Sequence, residues 1–206
     1  MGKTICSGRN ARKSVLSGII EASRTAAVTY GPRGRTVAFF RGNDARLTKD
    51  GITVLREIDF SDELKRFGAM LVKEASSKSN FQGGDGSTST AILTGSLCQT
   101  ASDLLDQGID INDLRVGFKR AKEAVLDTLP KLKKIVQSDE DIKNIASVSS
   151  NGDEEIASLV TEAFTSIGDY GIVTIADSMS RSGESKVVLS NGIEFNKGFL
   201  SSQCVN

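Results

Sequence analysis

Apolar residues recur at helical spacing through most of this chain. Val15, Ile19, Ala22 and Ala26 stand four, three and four residues apart, which predicts a helix starting at Asn10. It should end at Thr29-Tyr30-Gly31-Pro32, because glycine and proline both stop helices. A second helix is predicted over 61–80, with Leu64, Phe67, Leu71 and Ala75 on one face. A third starts at Ser87 and carries Leu93, Leu97, Ala101 and Leu104 to a stop near Gly108. A fourth starts near Asn112 and carries Leu114, Phe118, Ala121, Val125 and Leu129, with Pro130 beyond it. Each of these stripes reads as core-facing.

The period shortens between the first two helices. Residues 36–40 read as a strand and Arg41-Gly42-Asn43-Asp44 as a turn. Thr48-Lys49-Asp50-Gly51 is a further turn leading into the β-like run Ile52-Thr53-Val54, so Asp50-Gly51 reads as a hairpin turn and Asp50 as structural. After about Lys134 the character changes. Ser138, followed three residues later by Asp141, marks a helix start. A longer helix runs from about Asp153 to Gly168 on Ile156, Val160, Ala163 and Ile167. Strands are predicted over 171–175 and 186–189, with a polar turn at 177–184 between them and an Asn191-Gly192 turn after them. The fold class is mainly α with small β elements (α+β), without internal repeats.

Composition narrows the chemistry. With 38% hydrophobic and 25% charged residues the chain can form a core, and its 26 basic and 26 acidic residues cancel. No electrostatic argument favours nucleic acid, an anionic membrane or an acidic substrate. Cys6, Cys98 and Cys204 are too few and too scattered for a disulfide framework, which suits a reducing compartment. The absence of histidine removes Ser-His-Asp and Cys-His catalysis and imidazole-dependent zinc sites. No apolar run approaches the ~20 residues of a membrane span, and no signal-peptide pattern opens the chain, so a cytoplasmic protein is expected.

The stretch Gly83-Gly84-Asp85-Gly86-Ser87-Thr88-Ser89-Thr90 is the candidate for chemistry. Glycines let a backbone approach a ligand closely, successive N–H groups can hold an anion, and a following helix adds partial positive charge. An aspartate beside phosphate would hold Mg²⁺. The plain alternative is a glycine-rich loop whose helix is capped by Ser87. Two look-alikes fall away. Gly8-Arg9-Asn10-Ala11-Arg12-Lys13-Ser14 lacks the second glycine and the preceding strand of a Walker A loop, and Gly31-Pro32-Arg33-Gly34 fits a KH-type GXXG loop so short that it reads as a turn.

Five segments in order resemble a group I chaperonin, the ring-forming Hsp60 family of bacteria and organelles. Gly8-Arg9-Asn10-Ala11-Arg12 resembles the start of the first equatorial helix, and Thr29-Tyr30-Gly31-Pro32-Arg33-Gly34-Arg35 the family's Thr-Leu-Gly-Pro-Lys-Gly-Arg loop. Thr48-Lys49-Asp50-Gly51 matches its Thr-Lys-Asp-Gly turn, and Gly84-Asp85-Gly86-Ser87-Thr88-Ser89 its Gly-Asp-Gly-Thr-Thr-Thr loop. Gly192-Ile193-Glu194-Phe195-Asn196-Lys197-Gly198-Phe199-Leu200-Ser201 resembles the entry to the apical domain.

The resemblance implies that Asp85 coordinates Mg²⁺ on the phosphates of ATP, and that Gly86, Ser87, Thr88 and Ser89 wrap those phosphates. It implies that Tyr30, Gly31 and Pro32 line the nucleotide, that Thr29, Lys49 and Thr88 help hold K⁺, and that Asp50 positions the attacking water. ATP, Mg²⁺ and K⁺ are thus the implied ligands, and phosphoryl transfer needs no histidine. Tyr30 stands where the family has leucine, Arg33 where it has lysine, and Ser87 and Ser89 where it has threonines. The serines keep their hydroxyls; the tyrosine is bulkier and would reshape the pocket.

The implied organisation is an N-terminal half of an equatorial domain over 1–134, an ascending intermediate arm over 135–191 and the start of an apical domain over 192–206. A family member is more than twice this long, so the second equatorial half, the returning arm with its acidic residue and the apical surface for clients and co-chaperonin would lie outside these residues. An exposed apolar patch, weak ATP binding and slow hydrolysis are expected from that. Two functions follow. One is an ATP-driven chaperonin subunit acting on unfolded clients in a ring with other subunits. The other is a non-hydrolysing chaperonin-like protein that binds nucleotide or joins full-length rings.

Overall fold

The computed structural model describes residues 5–168, 171–177 and 184–192. The chain divides into two compact units, Met1–Leu126 and Asp127–Asn206. As expected, helices dominate; among the described residues β structure is one small antiparallel pair.

In the first unit α1 (Gly8–Ala27), α3 (Glu63–Gly83) and α4 (Ser87–Asp106) pack on one another, and the short α2 (Gly51–Glu57) touches all three. Ile19, Ala22, Ala26, Leu55, Ala69, Val72 and Ala91 form the core, with Val15, Ile58, Phe60 and Cys98 against it. The first helix follows its predicted periodicity, burying Ile19, Ala22 and Ala26.

The helices that pack on it bury a different face from the one the large side chains suggest. On α3 the buried residues are Gly68, Ala69, Val72 and Ser76, while Phe67 and Leu71 of the predicted stripe are exposed. On α4 they are Ser87, Ala91, Gly95 and Ser102, while Leu93 and Leu97 are exposed. The cause is close approach. A Cβ on Gly18 would fall 2.0 Å from the Lys65 carbonyl oxygen, and one on Gly68 would fall 2.1 Å from that of Val15. Backbones this close accept only small residues between them, so the bulky side chains take other faces.

Polar ties hold the bundle at its margins. Lys65 Nζ lies 2.7 Å from Glu21 Oε1, and that bond, helped by Ser17, lowers the glutamate pKa. Asp106 Oδ1 receives Arg12 at 2.8 Å and Arg9 at 3.1 Å, and its carboxyl is held below the usual range, by Arg9 first.

The pair of strands is β1 (Val37–Arg41) and β2 (Asp44–Thr48), antiparallel with Val37 opposite Thr48 and Arg41 opposite Asp44. The turn thus falls at Arg41-Gly42-Asn43-Asp44 as predicted, with Gly42-Asn43 at its tip and Arg41 and Asp44 as the last pair of the ladder. The expected hairpin at Asp50-Gly51 does not form, and Ile52-Thr53-Val54 is helical. Asp50 Oδ2 accepts the Thr53 N–H at 3.0 Å, which makes it the N-cap of α2, and Ile52 and Leu55 are buried three residues apart. A cap plus a buried face outweighs the β preference of Ile and Val.

Beyond α4 lies α5 (Ile111–Leu132), which buries none of its residues. Its predicted core-facing stripe is instead open among the described residues: Phe118, Val125 and Leu129 are 42%, 55% and 52% exposed. That agrees with the expected apolar patch. Pro130 lies inside its last turn and not beyond it, so the helix forgoes the one backbone bond that a residue there would make to the Leu126 carbonyl.

In the second unit α6 (Asp139–Ser149) packs on α7 (Glu154–Ile167), burying Ala146 and Ala157. Ser138 and Asp141 form the expected capping box, and the Asp141 pKa is lowered by the Gln137 N–H first and then by Ser138. Asp153 caps α7 through the Ile156 N–H at 3.0 Å. Among the described residues, the strands expected over 171–175 and 186–189 are absent. Short apolar runs become strands only when a partner takes their N–H and C=O groups, and neither run has a ladder here. Most of the polar turn at 177–184, and all of the apical-entry motif except Gly192, lie outside the described residues. Among the described residues no helix is long and apolar enough to cross a membrane.

Candidate functional site

Three segments of the first unit meet at the start of α4. The first is the exit from α1. The Gly34 N–H bonds the Gly31 carbonyl and the Arg35 N–H bonds that of Val28, each at 2.8 Å, so residues 28–35 close as a tight loop. This is a turn, as the short GXXG pattern suggested. A Cβ on Gly34 would fall 2.1 Å from the Thr29 carbonyl oxygen, which fixes that oxygen inside the loop.

The second segment is the entry to α2. Thr48 Oγ1 accepts the Asp50 N–H at 3.0 Å, and Asp50 Oδ2 accepts both the N–H and the hydroxyl of Thr53. The carboxylate is thus held at a helix start, where partial positive charge favours it. Its Oδ1 has no partner among the described residues.

The third is the glycine-rich loop. Gly84 ends α3 with φ +73° and returns its N–H to the Asn80 carbonyl at 2.8 Å. Gly86 has φ +81°, a region open to glycine and strained for other residues, and it is the N-cap of α4. Ser87 is therefore not the cap: it is the first helical residue, and it is buried. No side chain caps α4, and its first helical bond runs from the Thr90 N–H to the Gly86 carbonyl. The N–H groups of Ser87, Thr88 and Ser89 are left for a ligand, aligned with the helix dipole. Asp85 Oδ1 accepts the Gly86 N–H at 2.6 Å, and Ser79 donates to the Asp85 carbonyl at 3.2 Å.

Two contacts join the segments. Ser89 Oγ donates to Tyr30 Oη at 3.3 Å, tying the α1 exit to the first turn of α4. A Cβ on Gly51 would fall 2.1 Å from Thr88 Oγ1, so the α2 entry presses on that same turn. The structure therefore gathers Tyr30, the Asp50-Gly51 start of α2, Gly86, Ser87, Thr88 and Ser89 around one helix start. Gly31, Pro32, Lys49 and Asp85 are exposed, and among the described residues no hydrogen bond or ion pair joins them to another of the segments. Sequence reasoning passed over Gly51, Thr53 and Ser79. The available signal was Asp50 itself, an N-cap residue type just before the apolar run Ile52-Thr53-Val54-Leu55.

The residues fit a polyphosphate and its metal. Among the described residues no three His, Cys, Asp or Glu side chains come together. Asp85 would therefore hold Mg²⁺ only with phosphate oxygens and water, which is how Mg²⁺ usually binds. A separate cleft of about 260 Å³ between α1 and α4, lined by Ile20, Ser23, Ala27, Ile92 and Gly95 among others, shares no residue with these segments.

Comparison with known proteins identifies the family. Residues 23–206 match the model of the TCP-1/cpn60 chaperonin family. The chain is 34% identical over 201 residues to a mitochondrial chaperonin CPN60 of Euglena gracilis, covering 97% of this chain and 35% of that one. It thus spans about a third of that relative's length. It is also similar to the chaperonin gp146 from the bacteriophage EL 2 (Pseudomonas aeruginosa), solved in the presence of ATP-BeFx in two crystal forms. Both forms give a TM-score of 0.64 and 29% identity over 75% of this chain and 28% of that one.

Proposed function

The chain belongs to the TCP-1/cpn60 chaperonin family, and from that premise we propose that it serves protein folding as part of a chaperonin subunit, binding Mg-ATP at the start of α4. The observation that carries this reading is the convergence of Tyr30, Gly51 and Gly86 to Ser89 around an uncapped helix N-terminus. Such a terminus offers aligned N–H groups to phosphate at no reorganisation cost.

In this reading the N–H groups of Ser87, Thr88 and Ser89 orient the phosphates, and Asp85, with Thr29, Lys49 and Thr88 for K⁺, would hold the ions. The ions supply charge neutralisation. Asp50, locked by Thr53, keeps Oδ1 free to accept a hydrogen bond from the attacking water. Residues 1–134 would form half of an equatorial domain, 135–191 an ascending intermediate arm and 192–206 the start of an apical domain. Unfolded clients and other chaperonin subunits in a ring are the proposed partners, in a reducing compartment such as the cytoplasm, where the exposed Cys6 and the half-buried Cys98 stay free. The open apolar face of α5 favours association and supports the second reading, a non-hydrolysing protein that joins full-length rings.

The test measures ATP binding and Mg²⁺/K⁺-dependent hydrolysis by the chain, alone and mixed with a full-length chaperonin. Turnover lost on Asp50→Ala or Asp85→Ala supports the first reading. Binding without turnover, with comigration in ring-sized particles, supports the second. A monomer that binds neither nucleotide nor rings defeats both.

A further inference from the structure

We propose that Tyr30 is a phosphate-recognising residue of this site, donating its phenolic proton to the phosphate that the first turn of α4 receives. The inference rests on the nucleotide reading above and adds to it a side chain that recognises the phosphate end of the ligand. A phenol can accept one hydrogen bond while donating another. Here Tyr30 Oη accepts from Ser89 Oγ at 3.3 Å, so its own proton remains to be given. No other hydrogen bond to this side chain exists among the described residues, and Tyr30 is 54% exposed, open to a ligand. Ser89 stands third in α4, and its N–H is one of those left unpaired. The phenol therefore sits beside these donors and not on the far side of the loop.

The relay also strengthens itself. An anion accepting from Tyr30 polarises the phenol, and a polarised phenol is a better acceptor for Ser89. Tyr30 is held at the right place by its backbone, since its N–H bonds the Ala27 carbonyl at 3.1 Å just before the 28–35 loop closes. A donor of this kind recognises the charge of the phosphoryl group and is indifferent to the base.

Titration calorimetry of the whole chain with Mg-ATP and with Mg-tripolyphosphate tests this, comparing wild type with Tyr30→Phe, which keeps the ring and loses only the hydroxyl. The expected result is binding about tenfold weaker for both ligands, the scale of one hydrogen bond to a charged group, with unchanged circular dichroism. Wild-type affinity or tighter binding in the variant overturns the proposal, because the hydroxyl is then idle or a competing latch. Weakening for Mg-ATP alone overturns it too, since the phenol then serves the nucleoside. Failure of the wild type to bind either ligand rejects the nucleotide reading itself and this inference with it.

Discussion

Gly51 and Thr88 are in such close contact that a β-carbon on the glycine would lie 2.1 Å from Thr88 Oγ1 and 3.0 Å from its Cβ and Cγ2. Asp50 precedes Gly51 and Ser87 precedes Thr88, so this one contact sets the entry of α2 against the uncapped first turn of α4. The neighbour is a branched side chain in the first turn of a packed helix, which has little room to withdraw.

Gly51→Ala is therefore expected to destabilise the first unit by about 1–3 kcal/mol, the range for overpacking a close contact. Thermal unfolding measures it. Combining it with Thr88→Ala, which removes Oγ1 and Cγ2, should recover part of the loss. Equal midpoints for wild type and Gly51→Ala would show that the contact is not tight.

Asp50 has two separable duties, and two substitutions divide them. Asp50→Ala removes the cap and should cost about 1 kcal/mol of stability together with hydrolysis. Asp50→Asn keeps an oxygen for the Thr53 N–H, so stability should stay near wild type while hydrolysis falls. An asparagine variant that hydrolyses ATP at the wild-type rate removes Asp50 from the chemistry.

The Glu21–Lys65 pair predicts an acid-labile bundle. The Lys65 bond lowers the Glu21 pKa in the folded chain. A depressed folded pKa contributes stability that is present above the ordinary glutamate value and lost as pH falls through the lowered one. The thermal midpoint of wild type should thus drop below about pH 4.5 more steeply than that of Glu21→Gln. Both groups are partly exposed, so at neutral pH the variant should lose less than about 1 kcal/mol. Parallel pH curves for the two proteins would assign the acid sensitivity to other carboxylates.

Much of the fold was legible because helix periodicity and caps are local. The stripe of α1, the capping box at Ser138 and Asp141 and the stop at Gly168 all follow from neighbours in sequence. The buried faces of α3 and α4 were not legible. They depend on the approach of Gly18 to Lys65 and of Gly68 to Val15, which no single-helix pattern reports. Asp50 was misread as a hairpin residue because Ile52-Thr53-Val54 has β-like composition, and only the Thr53 bond shows it starting a helix. The helix start at Ser87 was legible from composition, but the alternative in which Ser87 is the cap fails, because Gly86, with no side chain to advertise the role, takes that place. The runs at 171–175 and 186–189 needed partners that sequence composition cannot supply.

The open face of α5 gives the last prediction. Val125 and Leu129 lie four residues apart on one side of a helix that buries nothing, and both are more than half exposed. If that face is an association surface, placing charge there should change assembly and leave the fold alone. Val125→Lys with Leu129→Lys is expected to keep thermal stability within about 0.5 kcal/mol of wild type, as surface changes do. The same variant should bind less of a hydrophobic dye, scatter less light at high concentration and comigrate less with full-length chaperonin particles. Loss of stability instead would mean that α5 packs on the rest of the chain in solution. Unchanged comigration would place the contact with other subunits elsewhere.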